Sequence, residues 1–147
     1  MKWLLVHSSL RQEIYELWNN DEKVLTIYSH PDKGTLRIAT DDEKRVFLIG
    51  KEGFLRSRIV LRNEYGIRMG QLIYDGIQDN QGSLEVDDEE FHYHIGNGSP
   101  IEATIFKNSE TLVICELPAV AKDHDLLILA LGWYVTTSVK IKIEEYA

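Results

Sequence analysis

The chain has 147 residues, of which 44% are hydrophobic and 27% are charged, so it can bury a core of its own as one domain spanning 1–147 and is not a disordered segment. Its net charge of −8 argues against general nucleic-acid binding, which depends on basic surfaces. A single cysteine, Cys115, excludes an intrachain disulfide. Only four consecutive apolar residues precede His7, too few for a signal peptide, and we therefore expect a soluble cytoplasmic protein.

Short segments in which apolar and polar residues alternate dominate the first 117 residues, and this period of two is typical of strands with one buried face. Turn residues such as Gly, Asn, Asp and Pro separate the segments at the short spacing of consecutive antiparallel strands in a barrel or roll. The predicted strands cover 2–7, 13–18, 23–29, 34–40, 45–50, 54–62, 67–75, 83–86, 90–95, 101–107 and 111–117.

The run "DHDLLILALGWYV" at 123–135 is apolar on every side of a helix, and this favours a helix in the middle of a fold. It is too short for a transmembrane helix, which needs about 20 apolar residues. Asp123 can cap the helix and Asp125 can complement its dipole. The sequence thus predicts an all-β fold of about 11–12 antiparallel strands around a hydrophobic C-terminal helix at about 123–137.

The tail at 138–146 alternates apolar and charged residues, which favours a last strand, with a continued helix as the alternative. A helix that fills the barrel leaves no room for a small ligand inside. Binding is therefore expected on the outside or at the rim.

The segments at 47–75 ("FLIGKEGFLRSRIVLRNEYGIRMGQLIYD") and 123–135, within about a dozen short strands followed by one apolar helix, resemble the barrel of tubby C-terminal domains, LURP-one-related proteins and phospholipid scramblases. The likeness covers nearly the whole chain and rests on organisation. It implies a closed β-barrel around a hydrophobic helix, and binding to phosphoinositides or other membrane lipids as in the tubby branch. The acidity of the chain outside 44–68 departs from a lipid-binding surface.

Basic residues are concentrated in 44–68, which carries seven of them against two acids, while the rest of the chain carries −13. In the predicted strand at 54–62, Arg56, Arg58 and Arg62 share one face. Arginine binds phosphate and carboxylate in a bidentate manner, so three of them indicate an anion-binding face. Pairing with carboxylates of neighbouring strands is the alternative.

The segment "FHYHIG" places His92 and His94 on one strand face, where two neutral imidazoles can hold one metal ion. A catalytic site would need a third ligand, and two polar residues on a solvent-facing strand are the alternative. The acidic run 85–90 lacks the pattern of a calcium loop and reads as a solvated turn. Cys115 reads as a small buried hydrophobe rather than a nucleophile.

The leading hypothesis is a non-enzymatic binding or regulatory module that contacts an anionic phospholipid or a protein partner through the basic face. A metal-dependent enzyme built on His92 and His94 is the second hypothesis. A structural homo-oligomer with Arg56, Arg58 and Arg62 at its interface is the third. No cofactor, nucleic-acid partner or transmembrane segment is predicted.

Overall fold

The computed structural model describes residues 1–53, 58–75, 78–119 and 124–146. Eleven strands and one helix make up the fold. They are β1 (Lys2–Ser8), β2 (Glu13–Asn19), β3 (Glu22–His30), β4 (Thr35–Ala39), β5 (Lys44–Glu52), β6 (Arg58–Arg62), β7 (Arg68–Asp75), β8 (Gln78–Val86), β9 (Glu89–Ile95), β10 (Ile101–Lys107), β11 (Glu110–Leu117) and α1 (His124–Tyr146).

The strands form a closed barrel in which each pairs antiparallel with its neighbours in the chain. The barrel closes between β1 and β11, which run parallel and share the single register pair Lys2 and Glu116. The backbone N–H of Glu116 also donates to the carbonyl of Met1 at 3.0 Å. All eleven predicted strands are confirmed where the structure describes them, and the closing pair corrects the expectation of a wholly antiparallel sheet.

Two hairpin turns contain residue types that suit their backbone conformation. Asp87 and Asp88 connect β8 to β9 with φ values of 54° and 66°, and Asn108 and Ser109 connect β10 to β11 with φ values of 52° and 67°. Two consecutive residues of positive φ form the tight turn whose twist suits a hairpin, and Asp and Asn tolerate it better than most residues. The predicted turn within the acidic run at 85–90 is therefore a hairpin turn at 87–88, and the rest of the run ends β8 and begins β9.

The first half of α1 lies inside the barrel. The side chains from Leu126 to Leu131 are all buried, whichever way they point, and they join a core to which every strand contributes. The ring of Trp133 meets the edge of Phe47 on β5, with the ring centroids 6.1 Å apart. The predicted central helix is confirmed, and the apolar side chains of the strands and the helix fill the interior.

The helix runs from one end of the barrel to the other. We call the end of the barrel at which α1 begins the entry end, and the turns after odd-numbered strands lie there. At this end the Tyr74 hydroxyl, near the end of β7, donates a hydrogen bond to Asp125. Turns after even-numbered strands lie at the far end, and Gly132 already lies beside Leu84 and Val86 of β8, close to that end. A 23-residue helix is about 35 Å long, so α1 passes through the barrel and continues beyond it.

The predicted last strand at 138–146 is wrong, because α1 continues to Tyr146. Eleven strands already close the barrel, and a helix satisfies its backbone hydrogen bonds internally without a partner strand. The first-turn position of Asp125 is confirmed. The proposed cap Asp123 and the start of the predicted strand at 54–57 lie outside the described residues.

Candidate functional site

The two ends of the barrel differ in charge. The five turns of the far end, with their flanking residues, occupy 19–23, 40–45, 63–68, 86–90 and 107–110, all of them described. These segments contain eleven carboxylates and five basic side chains. The alternation of strand direction collects acids that are spread along the chain, and the far end is therefore strongly acidic.

The entry end carries a cluster of basic side chains along the β1–β6 side of the barrel. We call this cluster the basic sector, and its members are Arg11, Lys33, Arg37, Lys51 and Arg58. Four of them lie in or beside entry-end turns, and Arg37 lies on the outer face of β4. From β2 to β6 the sector spans four strand spacings, or about 20 Å.

Ion pairing separates the basic sector from the other basic residues. Within the described part of the chain, none of its five members forms an ion pair, whereas Lys23, Arg45, Arg68 and Lys107 at the far end each pair with a glutamate. The pair partners are Glu16, Glu43, Glu85 and Glu89. Among the other basic residues at positions 1–53, 58–75 and 78–119, only Lys44 has no ion pair with a described side chain. The unpaired cations are therefore concentrated on one side of the entry end.

Of the three arginines predicted from the sequence, Arg62 is already engaged. Its Nη2 lies 2.8 and 2.9 Å from the two carboxylate oxygens of Glu52, and its Nη1 donates to the carbonyl of Gly66 at 3.3 Å. The strand register places Gly50 and Val60 between the two partners, and Val60 is 2% exposed. Arg62 therefore pairs with a carboxylate of the neighbouring strand, which is the alternative interpretation of the arginine face.

Arg58 and Arg56 differ from Arg62. Arg58 is half-buried, and its Nε is buried without a hydrogen-bond partner among the described residues. Arg56 lies outside the described residues. Anion binding by the predicted arginine face stays a prediction, with Arg58 as its member that forms no ion pair with a described carboxylate.

Exposed apolar side chains accompany the basic sector. On the outer face of β5, Val46 and Leu48 are 48% and 43% exposed. The register sets Val46 beside Arg37 of β4 and Leu48 beside Arg62 of β6. The guanidinium of Arg37 also lies 6.0 Å from the ring centre of Tyr28. This face therefore combines apolar area with positive charge.

His92 and His94 lie on the outer face of β9, and both are exposed, while the alternating Tyr93 is buried as predicted. The His92 ring stacks on Phe106 of β10, with the centroids 5.7 Å apart. Both imidazoles line a surface cavity of about 460 Å³. Within the described residues, no group of three or more His, Cys, Asp or Glu side chains is placed to hold a metal ion. The metal site stays a prediction.

Cys115 lies in the core, as predicted, with no exposed surface. Burial raises the pKa of its thiol to about 12. A thiol with this pKa is almost wholly protonated at neutral pH, and only the thiolate is a strong nucleophile. The sulfur therefore serves as a packing group.

Local sequence patterns do not single out Arg11, Lys33 or Arg37, or the exposed Val46 and Leu48. They are scattered over turns and strands that only the barrel brings together. A usable signal was present, because in an up-and-down sheet alternate turns share one end. Sorting the predicted turns by parity would have separated the acidic end from the basic sector.

No protein-family model, no curated protein and no solved structure matches this chain. No helix in the described part of the chain has both the length and the apolar character needed to cross a bilayer.

Proposed function

We propose that this protein is a non-enzymatic module that docks on anionic phospholipid surfaces through the basic sector, with its acidic end turned away. The observation that supports the proposal is the segregation of unpaired basic side chains at one side of the entry end. The resemblance to tubby-like and scramblase-like barrels belongs to the same proposal, because a filled barrel of that kind binds ligands on its outside.

Magnitudes decide whether a chain of charge −8 can approach a negative membrane. Each basic residue near an anionic leaflet contributes about 1 kcal/mol, so the five basic side chains, offset by the exposed Asp32 beside Lys33, supply about 4 kcal/mol before ordering costs. Strands of eight or nine residues such as β7 and β3, tilted as in a barrel, separate the ends by about 20 Å. This distance exceeds the Debye length of about 8 Å at physiological salt, so repulsion from the acidic end is screened.

The apolar side chains of the face fit the same role. Of these, Leu48 in the middle of β5 can contact the interfacial region of a bilayer while Arg37 and Lys33 remain at the level of the phosphates, whereas Val46 lies next to the acidic turn at 40–45. Arginine suits phosphate because its planar donors bind two oxygens at once. The proposed ligand is therefore the phosphate-bearing surface of an anionic bilayer.

The test is co-sedimentation with phosphatidylcholine vesicles that contain either no anionic lipid, phosphatidylserine or phosphoinositide, at low and high salt. The charge-reversal variant is Lys33→Glu/Arg37→Glu/Lys51→Glu, whose three side chains are exposed and form no ion pair with described residues. We expect binding that requires anionic lipid, weakens with salt and falls more than tenfold in this variant.

The matched control is Lys23→Glu/Lys44→Glu/Lys107→Glu, which makes the same change in net charge at the acidic end. Because surface ion pairs contribute little, this protein should stay folded. If only the position of the charge matters, the control binds like the native protein. Equal binding to neutral and anionic vesicles, or an equal loss in both variants, would contradict a localised site.

The described contacts give less support to the two other hypotheses, a metal-dependent enzyme and a structural homo-oligomer. A metal-dependent enzyme would require ligands beyond His92 and His94, and stoichiometric metal lost in His92→Ala would support it. A homo-oligomer through the arginine face would have to displace the bond between Arg62 and Glu52. Light scattering at several protein concentrations would reveal such an assembly.

A further inference from the structure

Leu10 is the most exposed large hydrophobic residue among those described, with 97% of its surface accessible. Together with Arg11 it forms the tip of the turn between β1 and β2. An isolated exposed leucine contributes nothing to the core and leaves its apolar surface in water. Single exposed apolar residues are common on protein surfaces, so its position beside the basic sector, and not its exposure alone, indicates a role.

The turn holds this tip in a defined conformation. The backbone N–H of Ser9 donates to the carbonyl of Gln12 at 2.9 Å. The Ser9 hydroxyl oxygen in turn accepts the backbone N–H groups of Arg11 and Gln12, at 3.4 and 3.1 Å. These bonds hold the turn in one conformation. Leu10 therefore lies on a short, hydrogen-bonded turn and not at the end of a long loop.

The tip belongs to the entry end and adjoins the basic sector. The Gln12 amide nitrogen lies 3.1 Å from the His30 Nε2, which connects the β1–β2 turn to the end of β3. From His30 the outer face continues through Thr35 of β4 to Leu48 of β5. The leucine, its neighbour Arg11 and the outer face of β3–β5 therefore lie along one side of the barrel.

Resting on the proposed function, we propose that Leu10 is a membrane-insertion residue that enters the boundary between headgroups and acyl chains when the basic sector lies on an anionic bilayer. Arg11 then stays at the phosphates, since a long basic side chain keeps its charge at the polar level beside a buried apolar neighbour. Interfacial apolar groups reach about 5–10 Å into this boundary.

The acidic end supplies an internal comparison. Tyr65 and Ile67 in the β6–β7 turn are also exposed, at 80% and 59%. They lie among the carboxylates that an anionic surface repels. Exposure alone therefore predicts that both ends insert, whereas our proposal predicts insertion of Leu10 and not of Tyr65 or Ile67.

The experiment places an environment-sensitive NBD fluorophore on Leu10→Cys and, as the matched control, on Tyr65→Cys. Cys115 is buried, and mass spectrometry checks that it stays unlabelled. With anionic vesicles we expect a blue shift and a severalfold rise in emission from position 10, and quenching by lipids brominated on their acyl chains. The label at position 65 should not respond.

Co-sedimentation of the same labelled proteins separates the two proposals. Anionic-specific sedimentation with an unchanged spectrum at position 10 would overturn insertion and leave the docking proposal standing. A response from both positions would overturn the assignment to Leu10. If no sedimentation occurs with any vesicle, both proposals fail.

A second variant tests the contribution of the side chain without a probe. Leu10→Ser should weaken partitioning onto anionic vesicles about tenfold, equivalent to about 1.4 kcal/mol, whereas Leu10→Met should retain it. Circular dichroism checks that both remain folded. Equal partitioning of Leu10→Ser and the native protein would overturn the inference.

Discussion

The hydroxyl of Tyr74 donates a 2.6 Å hydrogen bond to the carboxylate of Asp125, joining the end of β7 to the first turn of the helix inside the barrel. A negative charge at this position is also favourable with respect to the helix dipole. The two residues are 51 positions apart in the chain. The contact therefore fixes where α1 enters the barrel.

Replacing Tyr74 with phenylalanine should lower the free energy of unfolding by about 1–2 kcal/mol, because a half-buried hydrogen bond to a charged acceptor is lost. Urea denaturation measures the change. The control is Tyr65→Phe, which alters a side chain that is 80% exposed and should leave the midpoint unchanged. Equal midpoints for both variants would show that the bond does not stabilise the entry of the helix.

Gly82 and Gly50 make a matched pair within strands. A Cβ at Gly82 would overlap the carbonyl oxygen of Ile73 and lie 2.9 Å from the Tyr93 ring, whereas a Cβ at Gly50 meets nothing within 4 Å. Gly82→Ala should therefore cost about 3 kcal/mol of stability, as overpacking of a tight site does. Gly50→Ala should be neutral or slightly stabilising. Thermal unfolding compares them, and similar losses would contradict the close packing at Gly82.

The pair of Arg62 and Glu52, in which Nη2 contacts both carboxylate oxygens, should show a coupling free energy of about 0.5–1 kcal/mol in a double-mutant cycle, since both side chains are 37% exposed and solvent screens them. Arg68 and Glu85, with an N–O distance of 3.7 Å, should couple more weakly. Alanine variants of both pairs, unfolded in urea at low and high salt, provide the comparison. Stronger coupling in the second pair would contradict this ranking.

Cys115 should make stability depend on pH above about 9. Burial raises the pKa of its thiol from 9.0 to about 12, so the unfolded chain releases this proton at a lower pH than the folded chain. The stabilisation is complete below the unfolded pKa and is lost as the pH rises towards 12. At pH 10 the loss from this group is about 1.4 kcal/mol.

Unfolding of the native protein and of Cys115→Ala at pH 8 and pH 10 isolates this effect, because the other titrating groups are common to both. The native protein should lose about 1.4 kcal/mol more than the variant between the two pH values. Parallel losses would show that the thiol of the folded protein ionises like a solvated one. The same burial predicts that thiol reagents modify Cys115 only after unfolding.

Local patterns determined the secondary structure up to position 137. Alternation identified the strands because each has one face in the core, and the uniform apolarity from Leu126 to Leu131 indicated a helix enclosed on all sides. The tail at 138–146 was wrongly predicted, since its apolar and charged residues alternate with the period of two that is typical of a strand. Closure of the barrel between β1 and β11 left no place for a twelfth strand, and this closure depends on contacts between residues more than a hundred positions apart.

The candidate site, unlike the secondary structure, depended mainly on tertiary contacts. The sequence by itself determined which residues are charged, where the turns lie and that the chain is acidic, because these follow from composition and local pattern. Only the tertiary structure decided that the acids gather at the far end, that Arg62 is occupied by Glu52, and that the turn carrying Leu10 lies at the same end as Lys33, Lys51 and Arg58. The physical reason is that electrostatic interactions and solvent exposure depend on which residues are close in space. The alternation of strand direction brings every second turn to the same end of the barrel.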